Sequence, residues 1–144
     1  MASYEKSKGR AGKSGLQSKL NGNSFTPLRH DLVASIEFNS LSLSAKVVFI
    51  AFCGRYTGFN NGAIVFQQNE EQAKMLNISD RTLRNAIKEL IESDFIEVTK
   101  QGYNRSPSLY ALTCYPINET KRKGEPTQAG TLRASDRWRK AQPP

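Results

Sequence analysis

Arg81, Arg84, Asn85 and Lys88 are the residues of this chain whose types and spacing best suit chemistry on another molecule. Arg and Lys donate to guanine edges, Asn pairs with adenine through two hydrogen bonds, and any of the four can hold a phosphate. On a helix, Arg81, Asn85 and Lys88 fall at i, i+4 and i+7 and so share one side. An ordinary solvated helix face carries such charges as well, so the surrounding elements must decide between the two. A second polar group, Lys100, Tyr103, Asn104 and Arg105, lies in and beside a segment (101–107) that reads as a hairpin loop. An Arg on such a loop suits the negative potential of a minor groove, or simply a solvated hairpin tip.

Other chemical signals fail on their context. Gly12-Lys13-Ser14 imitates the end of a phosphate-binding loop, but position 7 is serine and no strand precedes it. His30 is the only histidine and has no hydroxyl, thiol or carboxylate pair beside it in a recognisable arrangement. Cys53 and Cys114 lie far apart inside apolar stretches, without ligand or redox spacing, and read as reduced core residues. Asn77-Ile78-Ser79 and Asn118-Glu119-Thr120 match the glycosylation pattern, which a cytosolic chain would not use. No catalytic residue, metal, cofactor or small-molecule ligand is therefore expected, and the chain does not read as an enzyme.

The elements that would position the polar groups follow from periodicity and caps. Thr26-Pro27 predicts a helix start and a short helix over 28–36. Ser42 caps a helix over 43–56 whose apolar run, Val47 to Phe52, predicts a central core helix. Gly58, Asn60, Asn61 and Gly62 all tolerate positive φ and stop it; residues 63–66 then read as a short strand. Asn69 caps a helix over 70–76, with Gln72 completing a capping-box pattern. Ser79 caps a helix over 80–93 with Leu83, Ala86, Ile87, Leu90 and Ile91 as its apolar stripe. Two strands, 95–100 and 109–113, flank the hairpin loop.

Between the last two helices, Ala73 allows close approach, Asn77 suits a left-handed turn and Ile78 fills the space between them. The predicted fold is α+β and mostly helical: a winged helix-turn-helix with a short three-stranded sheet. Its residues 81, 84, 85 and 88 then lie on the helix that enters a groove.

Charge sets the domain limits. The chain has 144 residues and a net charge of +8. Residues 1–24 carry five Lys/Arg and one acid, and residues 119–144 carry seven and three, so each tail is at +4. The middle, 25–118, holds nine of each sign. The expectation is a neutral domain between a disordered basic arm (1–24) and a basic, largely disordered tail (119–144), which suit a polyanion or, equally from charge alone, serve only to keep the protein soluble. No apolar run reaches the ~18 residues of a membrane span and the N-terminus lacks a signal-peptide core, which predicts a cytoplasmic, nucleoid-associated protein.

Arg55-Tyr56-Thr57-Gly58-Phe59-Asn60-Asn61-Gly62 resembles the R-Y-x-G-x-N-N-G signature of small winged-helix proteins of proteobacterial chromosomes and mobile elements. Ser40-Leu41-Ser42, the stretch Leu109-Tyr110-Ala111-Leu112-Thr113 and Pro116 resemble the same family, over about residues 25–118. The resemblance implies a winged helix-turn-helix with recognition on Arg81, Arg84, Asn85 and Lys88. Cys114, where an aromatic is usual, and Leu43, where Pro is usual, depart from it.

The leading expectation is a sequence-specific double-stranded DNA-binding protein, a transcription regulator of a bacterium or mobile element. The first alternative is a replication-initiation or origin-binding protein of a phage or plasmid. The second is a winged helix that binds protein or RNA and inhibits or joins a host nucleoprotein complex, since fold does not fix function. A homodimer is compatible with all three.

Overall fold

The computed structural model describes residues 15–121 and 123–140. Along them run α1 (Leu16–Lys19), α2 (His30–Val33), α3 (Ile36–Asn39), α4 (Leu43–Arg55), β1 (Ile64–Val65), α5 (Glu70–Met75), α6 (Asp80–Glu92), β2 (Ile96–Lys100) and β3 (Leu109–Leu112). The fold is α+β, with six helices and an antiparallel sheet of order β1-β3-β2 among the described residues. None of these helices is long and apolar enough to cross a membrane.

Local chemistry starts the main helices where the sequence predicts. The side chains of Ser42, Asn69 and Ser79 accept from the backbone N–H of Ala45, Gln72 and Thr82, satisfying donors that the first turn leaves over. The two 13-residue helices then pack together: Val48, Phe49 and Phe52 of α4 and Leu83, Ile87 and Leu90 of α6 are buried in one cluster. Phe38, Phe49 and Phe95 meet edge to face at 5.7–6.0 Å, a geometry worth roughly 0.5–1.5 kcal/mol per pair beyond burial. Burial pushes the Cys53 thiol up to about 12 and the Cys114 thiol higher, so both stay protonated at neutral pH.

Several local expectations are corrected. The helix over 28–36 is two single turns, because Ser35 caps a new start, its Oγ accepting from Phe38 N–H while donating to Leu32 O. Thr26 caps no helix start; its Oγ donates to Cys53 O at 2.8 Å, at the far end of α4. Gln72 does not reach back to Asn69, since its Oε1 accepts from Arg55 at 2.6 Å. Helix α4 is not buried all round: Leu43, Val47 and Ile50 are 79, 42 and 55 % exposed.

In the loop after α4 only Gly58 and Gly62 take positive φ. Asn60 and Asn61 act through their side chains. Asn60 accepts from Thr57 N–H and donates to Arg55 O. Asn61, fully buried, donates to Leu112 O, Tyr115 O and Pro116 O and accepts from Leu112 N–H. The amide thus ties the end of β3 to the chain that leaves it.

The largest correction concerns the C-terminal tail. The fold does not end near Asn118; it continues through Lys140. Trp138 is fully buried and stacks on Phe95 at 5.9 Å. Asp136 N–H donates to Thr113 O and Thr131 N–H to Ile117 O. Three of its basic residues are matched to domain carboxylates: Arg137 to Asp94 (3.0 Å) and Glu97 (2.8 Å), Lys140 to Asp94, and Arg139 to Asp31. Arg29 answers from the domain, donating to Asp136 (2.6 Å), Asp31 (2.6 Å) and Cys114 O (3.0 Å). Those carboxylates raise the Arg29 pKa, and the guanidinium holds Asp31 below the usual carboxylate range. Composition predicted disorder because one buried indole and these long-range pairs do not register in a local window. In the N-terminal arm, residues 15–24 hold α1 and its turn; the rest of that expectation, 1–14, lies outside the described residues.

Candidate nucleic-acid interface

The polar face of α6 rests on the turn before it. Asn77 adopts φ +57°, the left-handed region where Asn is less penalised than most residues. Around it Ile78 N–H donates to Ala73 O and Asn77 N–H to Lys74 O, the paired bonds that close a helix end at a left-handed residue. Ala73 is buried and Ile78 packs against the core. The same closure recurs at the end of α6, where Asp94 (φ +62°) is the left-handed residue and Phe95 N–H donates to Leu90 O. It turns the chain into β2.

Helix α6 buries Leu83, Ala86, Ile87 and Leu90 and turns Arg81, Arg84, Asn85 and Lys88 to solvent. These four divide. Arg81 and Asn85 are exposed, and among the described residues neither has a hydrogen-bond or ion-pair partner. Lys88 is loosely paired with Glu92 at 3.8 Å. Arg84 is braced: its Nε donates to Asp80 at 3.0 Å and its Nη2 to Gln68 O at 2.9 Å. That brace turns Arg84 toward an open cleft of about 360 Å³, lined also by Asn69, Pro107, Ser108 and Tyr110. The cleft joins α6 to the base of the hairpin. A smaller one, about 280 Å³, lies between residues 24–28 and α4 and has no charged side chain in its lining.

The hairpin loop closes on a two-residue turn. Tyr103 N–H donates to Ser106 O and Ser106 N–H to Tyr103 O, with Asn104 at φ +55°. Below the turn Gly102 is needed for closeness, because a Cβ there would stand 2.7 Å from Ser108 N. Tyr103, 78 % exposed, Asn104 and Arg105 therefore sit together on the tip. Lys100 does not join them. It ends β2 opposite Leu109, and its ammonium pairs with Glu125. Sequence reasoning missed the cleft-lining Gln67 and Gln68, which no local motif marks, and the part of the tail that reaches Lys100.

Among the described residues no group of His, Cys, Asp and Glu is arranged to hold a metal ion. The site offers hydrogen-bond donors, positive charge and one exposed aromatic ring, and no activated nucleophile among the groups described. No family model matches this chain, and neither a curated protein nor a solved structure is similar to it.

Proposed function

We propose that this chain is a winged helix-turn-helix protein that binds double-stranded DNA in a sequence-specific manner, with α6 in the major groove. One observation carries the reading. Arg81 and Asn85 stand exposed and unpartnered on one side of a helix whose other side is fully packed, after a left-handed turn and before a polar hairpin. A rigid helix with free base-reading side chains suits direct readout. Lys88, already near a carboxylate, suits phosphate, and Tyr103, Asn104 and Arg105 suit backbone or minor-groove contact. Arg84, bonded to Asp80 and Gln68 O, serves to tie α6 to the segment that precedes α5.

Regulation of transcription is the role proposed. An origin-binding initiator makes the same contacts, so the genomic position of the preferred duplex separates the two. The test is competitive binding against selected and random duplexes. Arg81→Ala and Asn85→Ala are each expected to weaken the preference by roughly 1–3 kcal/mol and keep the native circular dichroism. Folded variants that retain the wild-type preference, or a wild type that prefers no duplex, would move protein or RNA binding into first place.

A further inference from the structure

The tail that packs against the domain contains a second hairpin. Thr120 N–H donates to Gln128 O at 3.1 Å and Gln128 N–H to Thr120 O at 2.8 Å, closing a loop that carries Lys121, Lys123, Gly124 and Glu125. Gly124 takes φ +80° within it. Both ends are anchored. Asn118, just before the hairpin, exchanges hydrogen bonds with the backbone of Asn61, donating to its carbonyl at 3.0 Å and accepting from its N–H at 2.9 Å. The Gln128 amide lies over Gly62, its carbon 2.9 Å from where a Cβ would stand, and donates to Asn118 O at 3.2 Å. Thr99, the extra residue of a bulge in β2, donates to Gly62 O at 2.5 Å. The loop itself is fastened by Glu125 to Lys100.

These anchors set the position. Lys100 pairs across the sheet with Leu109, the neighbour of Ser108, and Ser108 lines the cleft that Arg84 shares with the first hairpin. The second hairpin therefore flanks the first at its base. Its charges differ from those of residues 136–140. Arg137, Arg139 and Lys140 are matched to carboxylates, whereas Lys121 and Lys123, like Arg133, are exposed and make no ion pair among the described residues. Cations held out on a closed, anchored loop beside a DNA-facing hairpin have one evident counterpart, the phosphate backbone running past it.

We propose that the hairpin 120–128 is a second wing, which holds the phosphates of duplex DNA through Lys121 and Lys123, with Glu125 withholding Lys100 from the same backbone. This rests on the duplex-binding reading above. The full-length protein is titrated with its selected duplex over a range of salt. Lys121→Gln/Lys123→Gln is expected to lower affinity tenfold or more at low salt. It should also reduce the slope of log affinity against log salt by about two, near 0.9 per lost contact. Glu125→Gln should raise affinity and steepen the slope by up to about one. Trp138 fluorescence and circular dichroism serve as folding controls, and the substituted lysines are exposed and unpaired, so the fold should hold. An unchanged slope and affinity in the lysine variant, with Arg81→Ala still losing its preference, overturns the second wing alone. A wild type that binds no duplex, or prefers single-stranded RNA, overturns both readings.

Discussion

Helix α6 and the chain from 136 to 140 are both rich in arginine and lysine, yet α6 leaves Arg81 clear of carboxylates while residues 136–140 pair every cation they carry. On α6 the cations and Asn85 point away from a packed stripe, and Arg81 and Asn85 have no hydrogen-bond or ion-pair partner among the described residues. In the tail, Arg137, Arg139 and Lys140 lie on Asp94, Glu97 and Asp31, and Arg29 answers from the domain by gripping Asp136. Net charge is the same kind of quantity in both places, but its availability to a partner is not. A carboxylate 3 Å away removes most of the reason for a phosphate to approach. The +4 of residues 119–144 thus overstates what that tail offers a polyanion.

The widest break in the comparison is Trp138→Ala. It empties a fully buried indole site stacked on Phe95 and flanked by the guanidinium groups of Arg29 and Arg139. A loss of about 3–5 kcal/mol is expected in denaturant melts. A loss below about 1 kcal/mol would mean that the tail is an appendage and that the domain ends near Asn118 after all.

On the other side of the comparison, Arg81→Ala should leave the melt unchanged within about 0.5 kcal/mol. It should also remove roughly 1–3 kcal/mol of discrimination between preferred and random duplex. A stability loss larger than the binding loss would place Arg81 with the structural arginines instead.

Asn77 tests the scaffold under α6. Asn77→Val should destabilise by about 1–3 kcal/mol, because a β-branched residue resists φ +57°, while Asn77→Gly should be neutral or better. If thermal melts find Val tolerated, the turn does not depend on the left-handed residue.

The smallest effect is expected from pH. Arg29 lowers the Asp31 pKa, so this pair adds stability above the ordinary carboxylate pKa, and that part is lost as pH falls through the lowered value. As pH falls below about 4, urea midpoints should drop more steeply in the wild type than in Asp31→Asn, if only slightly, because the pair is partly exposed. Parallel curves would mean that Arg29 has no net preference for ionised Asp31.

What was legible in advance follows the reach of each interaction. Ser42, Asn69, Ser79 and Asn77 act within a few residues, and their caps and turn stand where composition puts them. Helix α6 was legible because one stripe of five apolar residues at helical spacing leaves the remaining side polar. Asn61 and Arg29 were not. Apart from Asp31, two residues from Arg29, the partners named for them above lie between 51 and 107 residues away, and nothing near either residue in sequence announces those. Asn61 was read as a turn former from its backbone tolerance, when its amide does the fastening. Lys100 was assigned to the hairpin tip by proximity in sequence, and Glu125, 25 residues on, holds it elsewhere.

The contacts from Arg29 to Asp136 and from Asp31 to Arg139 span 107 and 108 residues of chain. They impose an order of assembly. The helix pair α5–α6 and the hairpin β2–β3 close through short loops and can form early, whereas the tail has a surface to dock on only once Phe95 and Arg29 are in place. Undocking should retrace that sequence. In native-state hydrogen exchange, the Asp136 and Thr131 amides would open at lower free energy than those of α6. The form expected on undocking keeps its polar helix while its single indole is free, and a protease should find that form first.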